Sequence, residues 1–70
     1  MQLIVPPQLY GQVYLDWYSA DGRLQRREKT WLRESNSLDL TGFARGLYLL
    51  HIRDVAGKVK ALVKVVKGGR

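Results

Sequence analysis

Apolar and polar residues alternate along much of this chain with a period of two. Val13, Leu15 and Trp17 interleave with Tyr14, Asp16 and Tyr18, the pattern of a strand with one buried face. Asp21-Gly22 follows, a pair that favours a type I′ hairpin turn, whose two central residues take positive φ. Leu24 to Trp31 reads as the return strand. Its charged run, Arg26-Arg27-Glu28-Lys29, predicts a wet face or an edge position. Ser35-Asn36-Ser37 reads as a polar break, Leu38-Asp39-Leu40 as a short strand, and Thr41 to Gly46 as a connecting loop. Leu47 to Arg53 is mostly apolar, as a strand covered on both faces would be. Asp54-Val55-Ala56-Gly57 marks a second hairpin turn. Beyond it, Val59, Ala61, Val63 and Val65 fall on one face and Lys58, Lys60 and Lys64 on the other.

No stretch carries the spacing of an amphipathic helix. Short strands with turns about every ten residues predict an all-β, antiparallel sandwich or small barrel. Residues 1–67 form one domain and Gly68-Gly69-Arg70 a flexible tail. Leu40, a loop and then Gly46-Leu47-Tyr48 fit a tyrosine corner, in which a tyrosine near the start of a strand bonds back to upstream backbone. Gly46 lets the chain turn there without a Cβ clash. Alternatively Tyr48 is simply a large core residue, and both readings fit a sandwich.

Size sharpens the picture. With 70 residues and no cysteine, the chain has no disulfide and no thiolate ligand. A domain this small buries only ~60% of the surface its unfolded chain exposes, so a missing strand or partner matters. No apolar stretch approaches the ~20 residues of a membrane helix. The opening Met1-Gln2-Leu3-Ile4-Val5-Pro6-Pro7 lacks the basic and long apolar regions of a signal peptide. An export signal would therefore lie elsewhere on a longer precursor. The net charge of +6 favours anionic partners without choosing among them.

Catalytic chemistry finds little support. His51 is the sole histidine, which makes no metal site or triad unless distant partners converge; it reads as a partly exposed strand residue. Asp16 and Asp21 flank a hairpin, and paired carboxylates can do acid–base work. Asp21 is better explained by the turn and Asp16 as a solvent-facing strand residue. Gly42 and Gly46 lack the lysine and hydroxyl pattern of a phosphate loop. Trp17, Trp31, Tyr10, Tyr14 and Tyr18 interleave with Arg23, Arg26 and Arg27, which would suit single-stranded nucleic acid through stacking and cation–π contact. Trp17 shares a face with Val13 and Leu15 and reads as core; Trp31 fits either role. The lysines of the last strand serve either as a binding row or as gatekeepers against edge-to-edge aggregation.

Three stretches resemble the C-terminal sorting domain of proteins exported by the type IX secretion system of Bacteroidota. Val13-Tyr14-Leu15-Asp16-Trp17-Tyr18-Ser19-Ala20-Asp21-Gly22-Arg23-Leu24 is similar to that family's strand, Gly-Arg turn and return strand. Ser37 to Ile52, with Leu38-Asp39-Leu40-Thr41 and Arg45-Gly46-Leu47-Tyr48-Leu49-Leu50-His51-Ile52, is the most specific part. Gly57-Lys58-Val59 through Lys64-Val65-Val66-Lys67 is similar to its closing strand. The resemblance spans residues 3–67. It implies an immunoglobulin-like sandwich, recognised by outer-membrane export machinery and then removed by a sortase from a cargo protein N-terminal to it. Here the opening is only Val5-Pro6-Pro7, so the family's first strand is expected to be absent. One sheet edge would then be open to a homodimer by strand exchange. On this reading Gly46, Tyr48, Lys58, Lys60, Lys64, Val65, Val66 and Lys67 carry recognition, with no catalytic residue, cofactor, metal or nucleic acid. The competing readings are a small basic β-domain that binds nucleic acid, and a carbohydrate- or protein-binding accessory module of a secreted enzyme.

Overall fold

The computed structural model describes residues 1–68; of the expected tail, Gly69 and Arg70 lie outside the described residues. Six strands follow one another: β1 (Gln2–Ile4), β2 (Gly11–Ser19), β3 (Leu24–Leu32), β4 (Ser35–Ser37), β5 (Gly46–Arg53) and β6 (Val59–Lys67), with one 3₁₀ turn at Pro7–Leu9. They form a small antiparallel sandwich. One sheet has four strands in the order β3-β2-β5-β6, and the other pairs β1 with β4. The long sheet consists of two hairpins, β2-β3 and β5-β6, joined side by side through β2 and β5.

Only one face of the long sheet is covered. Val13, Leu15 and Trp17 of β2, Tyr48, Leu50 and Ile52 of β5, and Val65 of β6 are buried there. Leu3, Val5, Leu32 and Leu38 join the same core, with Leu9, Leu40 and Phe43 packed against it. The covering layer is thus the β1-β4 pair and the chain running from Leu38 to Phe43. The apolar run of β5 is not covered on both faces, because among the described residues no second layer lies over the outer side. Leu47 and Leu49 are 38% and 37% exposed.

Two segments depart from the sequence pattern. The polar Ser35-Asn36-Ser37 is a strand, and the short strand expected at Leu38-Asp39-Leu40 is not. Asn36 explains the first. Its amide nitrogen donates to the Leu3 and Arg33 carbonyls and its side-chain oxygen accepts from the Arg33 amide, so side-chain bonds replace the missing apolar pattern. Asp39 explains the second, since its carboxylate accepts the Thr41 amide at 2.9 Å and turns the chain. An N-terminal strand is also present. Gln2–Ile4 pairs with β4, and the Met1 ammonium and carbonyl bond the Leu38 backbone to extend the pairing. The open edges of the long sheet lie at β3 and β6.

Both hairpins use the same turn, and it is not type I′. Gly22 donates to the Ser19 carbonyl and Ser19 to that of Arg23; Gly57 and Asp54 repeat the arrangement with Asp54 and Lys58. Among the described residues only glycines have positive φ, so Asp21 does not adopt the conformation a type I′ turn requires. These are three-residue loops closed by a glycine in the left-handed region. Gly22 has φ 86° and Gly57 φ 89°, with open space where a Cβ would sit. The penalty of a side chain there is conformational alone. We expect Gly57→Val to lower stability by about 1–2 kcal/mol, read as a shift in urea midpoint at unchanged m-value, with Gly57→Asn costing less.

Candidate functional site

The residues expected to carry recognition fall into two adjoining parts: the loop ahead of Tyr48, and the edge strand β6. Tyr48 is buried, and its hydroxyl donates to the Ala44 carbonyl at 2.7 Å. This is a tyrosine corner and a core aromatic at once. The Tyr48 ring stacks on Phe43 at 4.7 Å, and Phe43 meets Trp17 at 5.2 Å. The Arg26 guanidinium lies 4.2 Å from the Phe43 ring centre and donates to the Asp39 and Thr41 carbonyls. From the opposite edge, the Lys67 ammonium donates to the Leu40 and Phe43 carbonyls at 2.9 and 2.7 Å. One cation from each edge strand therefore holds the loop onto the sheet. Gly46 opens β5 at φ 152°, directly opposite Lys67.

β6 is organised differently from the simple alternation. Its register shifts beside Arg53, so that Val59 faces Arg53 and Ala61 faces Ile52. Val59 thereby leaves the face of Ala61, Val63 and Val65 and joins the outer side. That side carries Leu62, Lys64 and Val66, with Leu62 66% and Val66 70% exposed. The predicted lysine face is thus a mixed apolar and cationic one. Lys58 belongs to the turn, where its amide bonds the Asp54 carboxylate, while Lys60 and Lys64 are exposed. Of the named recognition residues, Val65 and Tyr48 are core, Lys67 is bound to the loop, and Lys60, Lys64 and Val66 offer free surface.

The outer face also holds a feature that alternation misassigned. Asp16 does not face solvent: its side chain is fully covered. Arg27 donates to both carboxylate oxygens at 2.8 and 3.1 Å, and Arg53 adds a bond of 2.7 Å. The Arg27 and Arg53 side chains that bond it are 56% and 30% exposed, so the carboxylate lies close under the outer surface and not deep inside. Arg27 stands directly opposite Asp16 on β3, and Arg53 is two pairs along on β5, on the same face. Bonding to Arg27, with a further contribution from Arg53, holds the Asp16 carboxyl below its ordinary value of 3.8 against the opposing effect of burial, and raises both arginines. Opposite-charge pairing across strands was the available signal: a lone acid on a central strand flanked by arginines.

Other chemistry is sparse. Among the described residues, no group of three or more histidine, cysteine, aspartate or glutamate side chains could hold a metal ion. The surface expected of a nucleic-acid binder is divided. Trp17 is buried with its indole nitrogen on Glu28, Arg26 is bound to the loop, and Arg27 to Asp16. Trp31 is 62% exposed on the outer face. An open cleft of about 460 Å³ lies between the first hairpin and the loop, lined by Asp21, Arg23, Gln25, Arg45 and Leu47 among others. No protein-family model, curated protein or solved structure matches the chain.

Two outcomes test this arrangement. Tyr48→Ala is expected to cost about 3 kcal/mol or more, and Tyr48→Phe about 1 kcal/mol through the lost bond to Ala44, both read from urea midpoints. Asp16→Asn is expected to cost about 1.5–3 kcal/mol at neutral pH. Because the folded carboxyl titrates below 3.8, its contribution is full above that value and falls away as pH drops through the lower folded-state value. The wild-type advantage over Asp16→Asn should therefore be constant from pH 7 down to about 5 and shrink below about 4. A difference independent of pH would rule the ion pair out as its source.

Proposed function

We propose that this chain is a C-terminal sorting domain: an address read by the outer-membrane type IX export machinery, then separated from its cargo by a sortase. The observation that carries the reading is the position of the final strand. β6 is an edge of the long sheet, and its outer side presents Leu62, Lys64 and Val66 to solvent. A signal carried at the C-terminal end of a cargo must be displayed there, and an edge strand displays both backbone and alternate side chains. The resemblance in Leu38 to Ile52 and Lys58 to Lys67 supports the same assignment, since these stretches form the clasped loop, the tyrosine corner and the edge strand.

On this reading the domain is a substrate of the machinery and performs no chemistry itself. Its cargo lies N-terminal to it and its path runs through the periplasm to the cell surface. Gly46 and Tyr48 fix the loop beside the strand, Val65 and Lys67 anchor the strand's end, and Lys60, Lys64 and Val66 are read. Fusion of the chain to the C-terminus of a periplasmic reporter, in a host with this secretion system, tests the proposal. Reporter on the cell surface, lost on deletion of residues 58–70, is the expected result. Reporter retained in the periplasm while the domain is folded would reject it.

A further inference from the structure

The two edges of the long sheet are unequal. β3 carries charges of both signs, and its two arginines are engaged: Arg26 on the loop carbonyls and Arg27 on Asp16. β6 carries lysines only, with no acidic residue in its nine. On its outer side Lys64 stands between Leu62 and Val66. The apolar surface continues onto β5 through Leu47, opposite Val66, and Leu49, opposite Lys64. An edge strand with exposed alternate apolar residues is a template for strand addition. Lysines on such a strand repel partners of like charge and select partners of opposite charge.

We infer that the edge of β6 takes an extended segment of a partner protein, alternating apolar and acidic residues, as a fifth strand of the long sheet. Main-chain bonding along β6 supplies affinity, and Lys60 and Lys64 supply selection. A second copy of this chain fits poorly. Pairing β6 with β6 offers no acidic residue to any of its lysines, whatever the register. The inference rests on the proposed role of the last strand in recognition and names the chemistry of what reads it.

The probe is a short synthetic peptide alternating valine and glutamate, added to isotope-labelled protein and followed by amide shifts and amide exchange. Its controls are a valine–lysine peptide and the glutamate peptide N-methylated at alternate residues. Expected are shifts and slowed exchange concentrated in residues 59–67, binding of the lysine peptide weaker by about tenfold or more, and loss of binding on N-methylation. The double variant Lys60→Glu/Lys64→Glu, whose exposed positions leave the core intact, should invert the preference between the peptides. Shifts mapping to β3, equal binding of the N-methylated peptide, no binding at millimolar peptide, or a preference unaltered by charge reversal would each overturn the inference. The same double variant in the reporter fusion separates the two claims. Peptide binding with the wild-type reporter held in the periplasm rejects the sorting role alone; export dependent on β6 without peptide binding rejects strand addition alone.

Discussion

Residues 38–45 cross beneath a four-stranded sheet without forming a strand of their own, and the fold depends on keeping them there. A complete sandwich would cover the sheet with a second layer of similar width, whereas β1 and β4 contribute three residues each. The remainder of the cover is this loop, and a loop has no ladder to hold it. Its carbonyls are instead capped from both sides, by Arg26 of one edge strand and Lys67 of the other. Phe43 fills the centre between Trp17 and Tyr48, with the Arg26 guanidinium across it. Removing any one of these loosens a layer that has no disulfide to fall back on.

The clasp also explains why two cations of a basic chain are unavailable for other work. Arg26 and Lys67 each spend their donors on backbone oxygens, which are neutral acceptors. Asp16 shows the opposite arrangement, with a buried acid meeting two cations. There the geometry is good, with three charge-assisted bonds on two oxygens, which is the condition under which a covered ion pair offsets its desolvation. The pair also joins β3, β2 and β5 across the outer face, where no second layer exists to hold the strands in register. The inner face is thus held by apolar packing and the outer face by charge.

Much of this was legible in the sequence, and the exceptions have physical causes. β2, β3, β5 and β6 follow from period-two alternation because burial on one face imposes it. The tyrosine corner was visible because Gly46 and Tyr48 bracket a loop at a fixed spacing. β1 and β4 were not, since a three-residue strand carries too little periodicity, and Asn36 makes by side-chain bonds what the pattern normally makes by apolar contact. The turn differs from the type expected because Asp-Gly suits both a two-residue and a three-residue loop: aspartate and glycine both take positive φ in the first, glycine alone in the second. Asp16 was misplaced because alternation assigns faces but not neighbours; Arg27 and Arg53 lie 11 and 37 residues away in sequence. The β6 face was misread for the opposite reason, since a single bulge beside Arg53 moves Val59 across the strand and ends the apparent segregation of valine from lysine.

That bulge bears on how the edge is used. A bulge is a common means of blunting an edge, because it interrupts the row of backbone groups a neighbour would need. Here it lies at the start of β6, between the partners of Ile52 and Arg53, and leaves the pairing with β5 regular from Ala61 to Lys67. Protection at the turn end and regularity beyond it set an added strand along Ala61 to Lys67, with Lys60 at one end of it and the clasped loop at the other. Lysine at positions 60 and 64 acts in the same direction: it opposes like-charged edges without removing the apolar positions between. An edge meant only to be silent would place charge where Leu62 and Val66 stand. Retaining them, at 66% and 70% exposure, leaves an edge that is closed to its own kind and open to an oppositely charged strand.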